Sequence, residues 1–78
     1  MREAIDEAVL KALIDGRGVS EFLITQGEAG YVLNVRYTSA TRWIPIRSRR
    51  ESPRTWANLD TLARHLNKLG VRKFRVEL

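Results

Sequence analysis

The chain has 78 residues, 44% of them hydrophobic, no cysteine, and 14 Lys and Arg against 9 Asp and Glu, for a formal charge of +5. That length suits one domain that buries about 60–65% of its unfolded surface, the missing cysteines exclude disulfides and thiolate metal sites, and apolar runs of at most three residues exclude a bilayer-spanning helix. The charge is segregated: residues 1–35 hold three basic and six acidic side chains, residues 36–78 eleven basic and three acidic, a pattern that suits a polyanionic partner.

The start, from Met1 to Ala8, carries acids where a signal peptide would carry a basic region and an apolar core, so the chain reads as mature and cytoplasmic. Residues 2–15 place Ile5, Ala8, Val9, Ala12 and Leu13 at helical spacing, opposite Glu3, Asp6, Glu7 and Lys11. Gly16 stands where a left-handed cap would end this first helix. Leu10 and Ile14 lie beside the stripe and widen it, as a broad core contact or as a dimer contact.

After Gly16-Arg17-Gly18 the period changes to two, with Val19, Glu21, Leu23 and Thr25 opposed to Ser20, Phe22 and Ile24. The Gly-bracketed run 26–30 has hairpin length, and a second strand follows with Tyr31, Leu33, Val35 and Tyr37 on one face. A polar turn at 38–40 leads to a third strand over Thr41–Ser48, an edge strand because Pro45 lacks a backbone donor. Residues 47–54 hold four arginines and no period, which predicts a solvated loop.

Asn58 is a good N-cap for a second helix with Asp60 in its first turn, the stripe Leu59, Leu62, Ala63, Leu66 and Leu69, and Gly70 at its end. Alternation over 71–78 predicts a final strand. The order α-β-β-β-α-β gives an α+β domain in which two helices pack on one face of an antiparallel sheet. Trp43, Tyr31, Tyr37 and Leu23 exceed what two short helices cover, which suggests a homodimer.

The residue types argue against catalysis. His65 is the single histidine, no reactive cysteine exists, and Asp60 is explained as a first-turn acid, so the chain reads as a non-enzyme. No cluster has metal-ligand spacing, and no cofactor motif is present, Gly27 and Gly30 being turn glycines. Arginine suits phosphate oxygens and guanine edges through its planar fork. The candidate nucleic-acid contacts are therefore Arg47, Arg49, Arg50 and Arg54, extended by Arg36 and Arg42 on a strand ribbon that would enter a major groove. Arg64 and Lys68 share a helix face and Lys73 leads into the last strand, as backbone contacts. Tyr37 and Trp43 offer stacking on unpaired bases as an alternative to a core role.

From Ser48 to Leu78, the residues Pro53, Arg54, Trp56, Leu59, Asp60, Thr61, Leu69, Gly70, Val71 and Phe74 form a pattern that resembles small plasmid partition-associated proteins of the ParC type, distinct from the topoisomerase subunit of that name. The resemblance covers under half the chain and implies a DNA-binding accessory protein of a plasmid or mobile element, acting in partition, maintenance or transcriptional regulation; it transfers no catalytic residue. The final strand, Phe-Arg-Val-Glu-Leu, is more basic than the acidic ending of that family. The α-β-β-β-α order is also that of double-stranded RNA-binding domains, but their lysine-rich helix start is replaced here by Asn58-Leu59-Asp60-Thr61, which favours duplex DNA over RNA. The competing expectation is a non-enzymatic homodimeric interaction module whose basic loop binds an acidic protein partner.

Overall fold

The structure is a computed structural model and describes residues 4–78. In chain order it contains α1 (Glu7–Asp15), β1 (Val19–Gln26), β2 (Tyr31–Tyr37), β3 (Ile44–Pro45), β4 (Thr55–Trp56), α2 (Leu59–Lys68) and β5 (Arg75–Glu77). The fold is α+β with two helices, and the order helix, strands, helix, strand is the one read from the sequence. Among the described residues no helix is long and apolar enough to cross a membrane.

Three details of α1 correct the sequence expectation. The helix begins at Glu7, because Asp6 caps it by accepting the Val9 N–H at 2.9 Å. Ile5 precedes the helix and bridges Ile46, donating its N–H to the Pro45 carbonyl at 3.1 Å and accepting from Arg47 N–H at 2.8 Å. Glu3 lies outside the described residues. The inward face is Leu10, Leu13 and Ile14, whereas Ala8, Val9 and Ala12 face solvent. Burying leucine and isoleucine removes more apolar area than burying alanine, so the larger side chains set the helix rotation. The left-handed residue after α1 is Arg17 (φ 58), and Gly16 keeps an ordinary φ of −89.

The long hairpin β1–β2 runs from Gln26↔Tyr31 to Val19↔Tyr37, with a bulge between Val19 and Glu21. The sheet order is β3-β2-β1-β5, with β4 also pairing β2. The sheet is mixed, since β1 and β5 are parallel where an antiparallel sheet was expected. This follows from connectivity: β4 is antiparallel to β2 and so runs with β1, and a crossover through α2 returns the chain in the same direction.

The expected third strand is divided. Asn34 and Val35 pair with Pro45 and Ile44, Ile46 donates to the Leu33 carbonyl at 3.1 Å, and the next β2 residues, Val32 and Tyr31, pair with Thr55 and Trp56. Residues 47–54 therefore leave one edge strand as an eight-residue excursion and return in register, its stem closed by Arg54 N–H to Ile46 O at 2.7 Å.

The core lies between the helices and one sheet face, where Leu10, Ile24, Leu33, Val35, Ile44, Ile46, Trp56, Leu62 and Leu66 are buried. Tyr31 and Tyr37 pack against it half-buried, and Leu23 is buried on the opposite face. α2 is capped by Asn58, whose Oδ1 accepts from Thr61 N–H and Oγ1, both at 2.8 Å. It ends in a Schellman arrangement, with Val71 N–H to Leu66 O and Gly70 N–H to Asn67 O at 3.0 Å and Gly70 at φ 89. That turn carries Val71 back into the core, so the last strand is three residues rather than the whole of 71–78.

Candidate nucleic-acid interface

The arginine-rich excursion is held by its own polar side chains. Ser48 N–H donates to the Glu51 carbonyl at 2.8 Å, Glu51 N–H donates to Ser48 Oγ at 3.1 Å, and the Glu51 carboxylate accepts from Thr55 N–H at 3.3 Å and Thr55 Oγ1 at 2.9 Å. The Ser52–Pro53 peptide bond is cis. Glu51 thus fixes the stem, leaving Arg49 and Arg50 exposed at the tip.

The stem delivers Arg54 over the ring of Trp56, 4.4 Å from the centroid. Trp56 is buried by its pairing with Tyr31 and by α2, and His65 lies against it at 5.8 Å with a 41° tilt. Arg64 and Lys68 are four residues apart on α2, so they share the face beside His65. Arg54, Trp56, Thr61, Arg64, His65 and Lys68 line one open cleft. Three permanent cations converge there around an apolar floor.

The acidic amino-terminal half reaches into this basic region, which charge segregation along the sequence conceals. Glu7 Oε1 lies 3.6 Å from Arg54 Nη1 and contacts His65 Nε2, while Asp6 Oδ2 lies 3.7 Å from Arg47 Nη2. These groups are half-exposed, and such pairs contribute about 0–1 kcal/mol each. They position side chains more than they stabilise the fold.

The nine candidate residues are divided between faces. Arg54, Arg64 and Lys68 come together in the cleft, and Arg47, Arg49 and Arg50 sit on the adjoining loop. Arg36 is on the helix-free sheet face, where it pairs with Glu21 and its guanidinium covers Trp43 at 5.0 Å. Arg42 is exposed on the connection between β2 and β3, and Lys73 is exposed between α2 and β5 beside Arg72. β2 and β3 do pair antiparallel, as the expected ribbon requires, but β3 spans two residues, Arg42 precedes it, and Arg36 is engaged across the sheet by Glu21. Trp43 has a ring face occupied by Arg36, and Tyr37 packs on the core.

Three features were missed by sequence reasoning: the Trp56 floor, the contribution of Glu7, and His65 as a cleft wall. The signal for the first two was slight. Trp56 follows Arg54 by two residues, but only the return of the chain to β2 shows that the ring is buried. His65 contacts Glu7, 58 positions away, and not Asp60 in its own helix. Among the described residues no three His, Cys, Asp or Glu side chains are grouped to hold a metal ion. No family model, curated protein or solved structure matches the chain.

Proposed function

We propose that the chain is a small cytoplasmic DNA-binding accessory protein that grips the phosphates of duplex DNA through the cleft between β4 and α2 and the adjoining arginine loop. The observation that supports this reading best is the convergence of Arg54, Arg64 and Lys68 on one cleft, beside a loop whose Arg49 and Arg50 have no ion pair among the described residues. Unpaired, exposed cations release counterions when they meet phosphate, and that release is the main source of sequence-independent affinity. Arg54 and Arg47 contribute less at first contact, since each must exchange a carboxylate for a phosphate.

Contacts of this kind position a protein on the duplex and carry no base sequence. The ParC-type likeness of residues 48–78, which includes Arg54 and Trp56, is in keeping with such an accessory role on a plasmid or mobile element. A fluorescence-anisotropy titration with labelled random-sequence duplex tests the proposal. Binding at low salt that weakens as salt rises is expected. No binding at low salt, together with binding to an acidic peptide, contradicts it and supports an acidic protein partner instead.

A further inference from the structure

The two ends of the sheet are treated differently. At one end β3 carries Pro45, and the Ile5 segment covers its outer side through a bridge to Ile46. At the other end β5 pairs only with β1, and its outer backbone row has no strand partner among the described residues. Natural sheets usually blunt such an edge with proline, an inward charge, a bulge or a covering segment. Residues 75–77 are paired in regular register without proline or bulge, so among the described residues the only protection of this edge is its three-residue length and the exposed charges of Arg75 and Glu77.

Faces follow from the register with β1. Val76 is opposite Ile24, so it lies on the helix side, and Arg75 and Glu77 are opposite Leu23 and Thr25 on the helix-free side. Val76 is 39% and Leu78 78% exposed, two of the three large hydrophobic residues that the structure leaves exposed among those described. The run Phe74-Arg75-Val76-Glu77-Leu78 reads apolar, basic, apolar, acidic, apolar, so its reverse keeps the apolar positions and inverts each charge.

We infer that β5 is the subunit interface of a homodimer, joined edge to edge and antiparallel about a twofold axis at Val76. This register places Arg75 opposite Glu77 of the partner subunit and Glu77 opposite Arg75 of the partner subunit, with Val76 beside its own copy. Phe74 meets Leu78 of the partner subunit on the helix side. Centring the axis on Arg75 or on Glu77 instead would set like charges directly opposite, which destabilises the pair. Within the free chain Arg75 already holds Glu77 at 2.9 Å and Glu21 at 3.3 Å, so the charges lie on the face where the exchange would occur. The occupant is a second copy because the strand is complementary to itself in both charge and apolar pattern. This inference does not depend on nucleic-acid binding.

Sedimentation equilibrium of the full chain and of Arg75→Glu, Glu77→Arg and the double swap tests it, with far-UV circular dichroism as the folding control. The wild type is expected at twice the chain mass. Each single swap creates two like-charge oppositions and should weaken the dimer about tenfold or more, and the double swap should restore it. A monomeric wild type, single swaps without effect, or a double swap no better than the single ones overturns the assignment. Amide exchange of the wild type gives a readout independent of the variants: protection of residues 74–78 should rise with protein concentration, and concentration-independent exchange there also overturns it.

Discussion

Gly30→Ala should be among the most damaging single substitutions in this chain. Gly30 adopts φ 145 at the start of β2, and a Cβ there would lie 2.6 Å from the carbonyl oxygen and 3.2 Å from the carbonyl carbon of Trp56. Both atoms are backbone, so relief requires β4 to move away from β2 and the cleft floor to move with it. The backbone conformation costs about 1–3 kcal/mol for a residue with a side chain, and forcing an extra methyl into packed surroundings costs about 1–3 kcal/mol more. A total near 4 kcal/mol, with unfolding entropy of about 2.1 cal/mol/K per residue, lowers Tm by about 25 °C. Gly70→Ala is the control: φ is 89 but nothing lies within 4 Å of the added Cβ, so only the left-handed penalty of about 1–2 kcal/mol applies and Tm falls by about 6–12 °C. Thermal unfolding followed by circular dichroism at equal protein concentrations compares them. Equal losses, or a larger loss at Gly70, would refute the close approach of β4 to Gly30.

Asn58→Ala removes the acceptor for Thr61 N–H at the start of α2 and should cost about 1 kcal/mol in urea unfolding, with the slope m unchanged. Leu66→Ala empties a fully buried position and should cost about 2–5 kcal/mol in the same experiment; a loss under about 1 kcal/mol would place Leu66 outside the core. Glu7→Gln removes the carboxylate that competes for Arg54 and His65, so duplex DNA should bind a few-fold more tightly, about 0.5–1 kcal/mol, at low salt. Weaker binding by that variant would mean that the cleft is not the phosphate site. Arg36→Ser should leave the salt dependence of binding unchanged, because Arg36 lies on the helix-free face and is engaged by Glu21; a shallower slope would extend the interface to that face.

Much of the fold was legible because periodicity reports burial. The two-residue period over Val19–Thr25 and Tyr31–Tyr37 became the long hairpin, with Phe22 and Ile24 on the core face across from Val35 and Leu33, while the bulge between Val19 and Glu21 turns Val19 to that same core, against the expected alternation. The stripe of α2 and its caps at Asn58 and Gly70 were equally direct, since each local signal agreed with its neighbours. Where alanine and valine competed with leucine, in α1, spacing alone misplaced the buried face by about one residue position. The direction of β5 was not legible, because alternation is the same in parallel and antiparallel strands. The return of residues 55 and 56 to β2 after the arginine excursion was hidden for another reason: register across an inserted loop is a long-range property.

The candidate site was legible in composition and less so in geometry. Arg47, Arg49, Arg50 and Arg54 were read as one basic stretch, and they do lie on one loop and its stem. Arg36 was placed on the second strand and expected to extend that surface as a ribbon with Arg42; alternation does send its side chain away from the helices, and there it meets Glu21. The acids that temper the loop come from the opposite half of the chain. Net charge by segment could not show that pairing, which the fold creates by docking the start of α1 beside the loop stem.

The salt dependence of duplex binding tests the central claim most directly, measured for the wild type and for a chain in which Arg49, Arg50, Arg64 and Lys68 are all replaced by Ser. Each phosphate contact contributes about −0.9 to the slope of log K against log salt, so these four residues should account for a slope of roughly −3.6 between about 50 and 200 mM salt. The wild type is expected to show at least that steepness and the variant to lose most of it while keeping the wild-type circular dichroism spectrum. A folded variant that binds with the wild-type slope would contradict the account.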